Sequence, residues 1–401
     1  MSEGIVSVRK GREKPILNQH PWIFSGAVYE AKNAEAGDLV QVVDRHGAFL
    51  GRGYWNNRSQ IQVRLLTWED EAIDEAWWRR KLERAIKLRY PKPEFHAGHR
   101  IVNAENDFLP GLIVDRYASY LVLQALTLYI DNHKQMIADT LMELFAEADM
   151  PIKGVYERSD VDVRGKEGLK QVKGLLAGEA PPELIPFRQA ALVRLVDVRK
   201  GHKTGYYLDQ KDNHFLMARL SEMHDWNTDE TRILNTFCYS GGFGLLANAH
   251  VVNVDSSEDA LTLAENTYYG NERSLRHLDF VQADVFEYLR DCAENDEQFE
   301  MVVLDPPKFA HNKGQVQSAS RGYKDINLNA FKIVKSGGYL LTFSCSGAIS
   351  RDLFQKIVFG ALADSGRQGQ IVQHLSASAD HPIALTFPEG EYLKGLLVRV
   401  F

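Results

Sequence analysis

From about Leu192 onward, short apolar runs alternate with longer amphipathic ones, and this alternation narrows the available folds more than any other feature. A strand that feeds a helix returns to a parallel neighbour, so the pattern calls for a parallel sheet with helices on both faces. Strands are expected at 232–235, 251–255, 278–283, 301–304 and 339–344. Helices are expected after Gly241, Ser257 and Val285, and near 326–334. Residues 189–401 thus read as a doubly wound α/β domain.

The chain before it follows other periods. Up to about Thr67 it shows short strands at 39–43, 49–54 and 61–66, separated by Gly37-Asp38 and His46-Gly47, which suggests a small β-barrel over 1–71. Residues 72–91 read as a connecting helix, apolar at Ile73, Trp77, Leu82, Ile86 and Leu88, and ended by Tyr90-Pro91-Lys92-Pro93. Strand-like 111–117 and 120–126, a helix near 132–146 and an extended stretch from Gly154 make 92–188 a middle α+β unit. A length of 401 residues agrees with two or three such domains.

Composition excludes several classes. The three cysteines, Cys238, Cys292 and Cys345, form no close pair and no Cys/His cluster, which argues against a disulfide framework and a zinc site and for a reducing compartment. The N-terminal residues lack an apolar signal core, and the longest strongly apolar stretch, 120–130, falls short of the roughly 18 residues a span requires. A soluble, cytoplasmic protein with no membrane and no metal partner is expected. The net charge of -7 is uneven: residues 1–100 carry 17 Lys+Arg against 13 Asp+Glu, whereas 101–190 carry 9 against 14 and 191–401 carry 21 against 27. Local patches set the field a polyanion meets, so Arg9-Lys10-Gly11-Arg12 and Trp77-Trp78-Arg79-Arg80-Lys81 are the candidate nucleic-acid segments; the alternative is solvated faces.

In doubly wound sheets the ligand lies beyond the carboxyl ends of the strands. The first strand runs into Phe237-Cys238-Tyr239-Ser240-Gly241-Gly242, where paired glycines allow close backbone approach and are expected to open a helix. Asp255, followed by Ser256, ends the second strand and can accept from a ribose diol. Asp284 ends the third, where it can reach an adenine amine. Either acid could instead cap the following helix. The turn is not Gly-x-Gly-x-x-Gly, so S-adenosylmethionine fits better than a dinucleotide.

The fourth strand runs into Asp305-Pro306-Pro307-Lys308, a rigid corner that points Asp305 into the cleft. The fifth ends in Ser344-Cys345-Ser346-Gly347. Neighbouring strands lie about 4.8 Å apart, so Asp305 and Cys345 can address one planar base. C5 of a pyrimidine is a poor nucleophile until a thiolate adds at C6, which gives a cysteine here a task; buried filler is the alternative reading. Cys292 and Cys238 read as incidental and as packing.

Three motifs, Phe237-Cys238-Tyr239-Ser240-Gly241-Gly242-Phe243, Asp305-Pro306-Pro307-Lys308-Phe309 and Phe343-Ser344-Cys345-Ser346-Gly347, closely resemble the bacterial large-subunit rRNA (cytosine-C5)-methyltransferase I family. So do His20-Pro21-Trp22-Ile23-Phe24-Ser25-Gly26, the stretch from Gly201 to Gln210, Arg321-Gly322-Tyr323-Lys324-Asp325-Ile326-Asn327 and Phe387-Pro388-Glu389-Gly390, so the likeness spans the chain. The resemblance implies an N-terminal PUA domain, a middle α+β domain and a Rossmann-like methyltransferase domain that uses S-adenosylmethionine on 23S rRNA. By the same resemblance Cys345 is the nucleophile, with Asp305 beside both base and cofactor. Tyr207, Gln210, Phe237, Tyr239, Ser240, Gly241, Gly242, Asp255, Ser256 and Asp284 are expected to enclose the cofactor; Arg9, Lys10 and Arg12 of the basic patch and Lys308 are expected to face RNA, and Arg321 and Lys324 either to reach RNA or to be structural.

Rival readings are a uracil-C5 enzyme, an exocyclic-amine methyltransferase and a non-catalytic RNA-binding assembly protein. The amine reading wants a stacking aromatic where Lys308 stands and leaves Cys345 idle; the assembly reading leaves the strand-tip acids idle. The oligomeric state stays open, a homodimer included.

Overall fold

The computed structural model describes residues 4–89, 97–227, 229–271 and 277–401. Its internal contacts divide it into two compact units, one of Met1–Ala191, Val196–Leu208 and Asp380–Gly390, the other of Leu192–Leu195, Asp209–Ala379 and Glu391–Phe401.

The first unit holds two sheets. β1 (Gly4–Val8), α1 (Lys14–Leu17), β2 (Trp22–Phe24), β3 (Val28–Lys32), β4 (Leu39–Val43), β5 (Phe49–Trp55) and β6 (Ile61–Thr67) build a six-stranded sheet in the order β2-β6-β5-β4-β1-β3. Alternate residues Val6 and Val8, Val40 and Val42, Val63 and Leu65 share its core, the period-two burial of a half-covered sheet. α2 (Glu75–Arg89) opens under an Asp74 cap, whose carboxylate accepts from the Trp77 N–H at 2.9 Å. The expected Tyr90-Pro91-Lys92-Pro93 stop lies outside the described residues. α2 is no bare spacer: Trp77 and Trp78 are buried in the core of the sheet that follows.

That sheet contains β7 (Gly98–Asn103), β8 (Leu112–Tyr117), β9 (Tyr120–Ala125), β10 (Gly154–Ser159) and β11 (Val172–Gly178) in the order β11-β10-β9-β8-β7. β9 and β10 are parallel, and α3 (Leu128–Glu147) makes the crossover, burying Ile137, Leu141 and Phe145. β12 (Ile185–Gln189) follows. The segment Asp380–Gly390 returns to this unit: Asp380 accepts from the Arg100 N–H at 3.0 Å, and the Phe387 ring meets Trp22 edge-on at 4.6 Å.

After β13 (Leu192–Val196) come α4 (Lys211–Met223), β14 (Arg232–Thr236), β15 (His250–Asp255), α5 (Glu258–Tyr269), β16 (Leu278–Gln282), α6 (Val285–Glu294), β17 (Phe299–Leu304), α7 (Val316–Ile333), β18 (Val334–Ser344), α8 (Arg351–Asp364), β19 (Gly369–Ser376) and β20 (Lys394–Val400). The second unit's sheet has the order β16-β15-β14-β17-β18-β20-β19, parallel through β18, with β20 antiparallel to both neighbours. Successive residues pack on opposite faces. Leu234, Val302 and Leu340 meet α6, α7 and α8, while Ile233, Val303 and Leu341 meet the α4 and α5 side. The chain winds outward from β14 in both directions, so the order reverses between β14 and β17.

One expectation fails here. No α-helix follows Gly241; a short 3₁₀ turn, Gly244–Leu246, takes its place. Once the glycine turn is made, 244–249 must return to the start of β15. A helical rise of ~1.5 Å per residue would cover only ~9 Å of a strand length near 17–20 Å. The chain therefore exits extended at Ala247. The helix expected near 326–334 also begins earlier, at Val316.

Candidate functional site

The reversal between β14 and β17 puts two sets of strand tips side by side. On the β14 side the backbone turns sharply through positive φ at Phe237, Tyr239 and Gly241. The glycines are packing requirements: a Cβ on Gly241 would lie 2.5 Å from the Tyr268 ring, one on Gly242 2.5 Å from His214, and one on Gly244 would overlap the Tyr268 hydroxyl. That hydroxyl lies 3.3 Å from Gly241 O and 3.2 Å from Asn253 Oδ1, which share its one proton, and Asn253 Oδ1 also accepts from Asn235 at 2.9 Å. Burial holds His214 well below its usual pKa and pushes the Cys238 thiol up, Asp255 adding to the latter effect. Cys238 is thus inert filler.

Both acids of this side serve the backbone. Asp255 accepts from the Tyr239 N–H at 2.9 Å and the Ser257 N–H at 3.0 Å, pinning turn to strand. Asp284 caps α6 through Oδ1 alone, which accepts from Phe286 N at 2.8 Å and Glu287 N at 3.2 Å. Asp284 is exposed and its Oδ2 accepts no hydrogen bond among the described residues; Asp255 is half-buried with a lone pair remaining on each oxygen. Two acceptor-only groups at consecutive tips beside half-buried Phe237 and Tyr239 fit an adenosine, diol to one acid and amine to the other. Ser256 is exposed next to them, and Ser240 is buried within the turn.

On the β17 side, Asp305 receives the Gln210 amide at 2.9 Å, and Gln210 Oε1 in turn accepts from Asn213 at 2.6 Å. Gln210, expected around the cofactor, thus orients the Asp305 carboxylate. Cys345 is half-buried just beyond β18, with its sulfur 3.9 Å from the Pro306 carbonyl oxygen, so thiol and Asp-Pro-Pro corner do converge. Buried hydroxyls fix both flanks of the cysteine: Ser344 donates to Tyr323 Oη at 2.9 Å, Ser346 lies 3.0 Å from the same oxygen, and Ser346 Oγ accepts from Ala310 N at 3.1 Å. Burial raises the Tyr323 pKa, leaving a neutral hydroxyl.

The remaining candidates are dispersed. Tyr207 lies in the first unit, its hydroxyl 3.1 Å from His202 Nδ1 and its ring under Lys203. Arg9 Nε donates to Val28 O at 2.9 Å, while Lys10, Arg12, Lys308 and Arg321 are exposed. Lys324 pairs with Asp364 at 2.7 Å. The second basic run is largely neutralised, Arg79 by Glu143 and Glu147, Arg80 by Glu71.

Set beside known proteins, the chain is 45% identical to Ribosomal RNA large subunit methyltransferase I of Tolumonas auensis and 42% identical to that of Escherichia coli, with 98% of each chain covered in both comparisons. It belongs to the ribosomal RNA large subunit methyltransferase I family. A PUA-like domain model matches residues 6–68, the span of the six-stranded sheet. A Streptococcus mutans structure named for SAM-dependent methyl transfer superposes with a TM-score of 0.81 at 17% identity, covering 98% of this chain and 99% of its own. A second, titled as a methyltransferase complexed with SAH, gives 0.82 at 17% with full coverage of both chains. At that identity both speak to the fold, a PUA-like sheet followed by a Rossmann-like methyltransferase domain.

Sequence reasoning overlooked Asn213, Tyr323 and Lys394 in this methyltransferase. Lys394 carries the one available signal, a cation opening the otherwise apolar run Lys394-Gly395-Leu396-Leu397-Val398.

Proposed function

We propose that this chain methylates C5 of a cytosine in large-subunit ribosomal RNA with S-adenosylmethionine, through a transient bond from Cys345 to C6. Family membership supports the substrate class, since the relatives carry rRNA methyltransferase names across their full length. The cofactor would lie over the β14 turn, its ribose on Asp255 and its adenine amine on Asp284 Oδ2, and it supplies a methyl group carried on a positively charged sulfur.

The observation that carries the chemistry is Cys345 Sγ beside the Asp305-Pro306-Pro307 corner. The thiolate adds to C6, a C–S bond forms and the ring electrons make C5 an enamine carbon able to take the methyl group. Methyl transfer would leave the donor as a neutral thioether; passage of the C5 proton to a base or water then restores the C5–C6 double bond and expels the thiolate. Asp305 holds the polar edge of the base. A Gln210 N–H can only donate, so Asp305 Oδ1 is fixed as an acceptor, and the carboxylate suits the exocyclic amine of cytosine better than the carbonyl of uracil. Lys10, Arg12 and their neighbours on the PUA-like sheet supply sequence-independent attraction for the RNA backbone.

A labelled methyl donor, large-subunit rRNA and base-resolved digestion test the proposal. Label is expected in 5-methylcytosine with the wild type and none with Cys345→Ala, whose cofactor affinity by calorimetry stays within about twofold. Label in another base, or retained turnover by Cys345→Ala, contradicts it.

A further inference from the structure

A cation lies buried behind the reactive cysteine. Lys394 opens β20 and is the register partner of Ser344, the residue before Cys345. Its Nζ donates to Ser346 O at 2.8 Å and Ile349 O at 2.6 Å, closing the loop that leaves the cysteine. The residue is only 3% exposed and makes no ion pair among the described residues; Glu391, an acid whose charge acts on it, is bound to Arg351 at 2.7 Å. Two carbonyl oxygens satisfy two of the three ammonium donors. Chains rarely bury an unpaired lysine, and an arrangement that tolerates one next to a nucleophile is a mark of function.

We propose that Lys394 is a positioning residue that holds the Ser346–Ile349 loop and, through its buried positive charge, raises the thiolate fraction of Cys345. The proposal rests on the covalent role given to Cys345 above. The charges that act on this cation are those of the Cys345 thiol just beyond β18, Lys308 of the Asp-Pro-Pro corner, Arg351 of α8 and Glu391 before β20. The Tyr323 hydroxyl of α7 is neutral and tied to Ser344 and Ser346. Arg351 and Glu391 offset each other, so with Lys394 protonated its ammonium favours an anion at the sulfur, against the Asp305 carboxylate at the neighbouring corner.

Burial lowers the lysine pKa to about 8, with the charges of Cys345 and Glu391 working against that fall and those of Arg351 and Lys308 adding to it. The ammonium is therefore present at neutral pH and lost as pH rises through 8. Its help to the thiolate is greatest where an unassisted thiol, with pKa near ~8.5, would be only a few per cent ionised.

Iodoacetamide alkylation of Cys345, followed by mass spectrometry of its peptide across pH 5.5–10, reads thiolate formation without any turnover. The wild-type midpoint is expected about one pH unit or more below 8.5. Lys394→Met should raise the midpoint and slow alkylation at pH 7 about tenfold; Lys394→Arg should keep most of the wild-type rate. A Lys394→Met profile that superposes on the wild type would show a loop tie and nothing more. Should that variant not fold, a wild-type midpoint at or above 8.5 overturns the proposal by itself. Because alkylation needs neither RNA nor cofactor, these outcomes are separate from failure of the methyl-transfer reading, which the Cys345→Ala assay decides.

Discussion

The two sides of the sheet reversal solve the same problem by different means. At the tips of β14, β15 and β16 the side chains that motifs single out are spent on backbone: Asp255 pins a turn, Asp284 caps a helix and the glycines admit Tyr268 and His214. At the tips of β17 and β18 they are held by other side chains from remote elements, Asp305 by Gln210 and the flanks of Cys345 by Tyr323 and Lys394. A ligand that must only be bound can rest on a turn whose shape is local. A base that must be attacked needs its partners oriented in three dimensions, and that orientation comes from residues distant in sequence.

Damage to the first side should therefore act through shape. The Gly244→Ala methyl overlaps the Tyr268 hydroxyl, which a buried hydrogen-bond network holds in place, and meets Val251 Cγ1 of the buried core at 2.7 Å. Overpacking of this kind costs about 1–3 kcal/mol. Urea unfolding should show that loss, with cofactor affinity falling in step and kcat at saturating cofactor nearly unchanged. An alanine variant as stable as the wild type would mean that the turn can relax, and the contrast between the sides would lose its basis.

On the second side a change should act on rate without touching affinity. Gln210→Leu removes the donor to Asp305 and leaves Asn213 with its bond to Ser376 O at 3.0 Å. Losing one hydrogen bond to a carboxylate is worth about 1.5 kcal/mol, so kcat should drop about tenfold. Calorimetry should find cofactor binding unaltered. If affinity fell instead, Gln210 would belong to the cofactor enclosure after all.

This division also explains what could be read before the fold was known. The central parallel strands were legible because Met301-Val302-Val303-Leu304 and the apolar runs Ile233-Leu234 and Val251-Val252 are buried on both faces. Their tips were legible because a strand ends where its apolar run ends, which exposed Asp255, Asp284, Asp305 and Cys345 by position alone. The missing helix after Gly241 was not, since it depends on the distance left to cover, a property of the neighbouring strand. Lys394 and Tyr323 were out of reach for a related reason. Nothing in the sequence sets β20 against β18, or α7 under the Cys345 turn, until the sheet order is known. In the first unit, the Asp380–Gly390 segment joins β7 through a return of some 280 residues, for which local periodicity has no signal.

The smallest effect separates the two uses of Asp284. Asp284→Asn preserves an oxygen for the Phe286 and Glu287 N–H groups, so α6 keeps its cap and the unfolding midpoint should move little. The same change replaces Oδ2, an acceptor, with an amide that donates, and a donor facing an adenine amine loses its bond. At this exposed position the loss should be modest, about 1 kcal/mol or roughly fivefold in cofactor affinity, with kcat intact. Asp284→Ala should show the same affinity loss plus about 1 kcal/mol of lost stability. Unchanged affinity in both variants would leave Asp284 a helix cap alone, and the adenine would then have to be read by backbone groups on the β14 side.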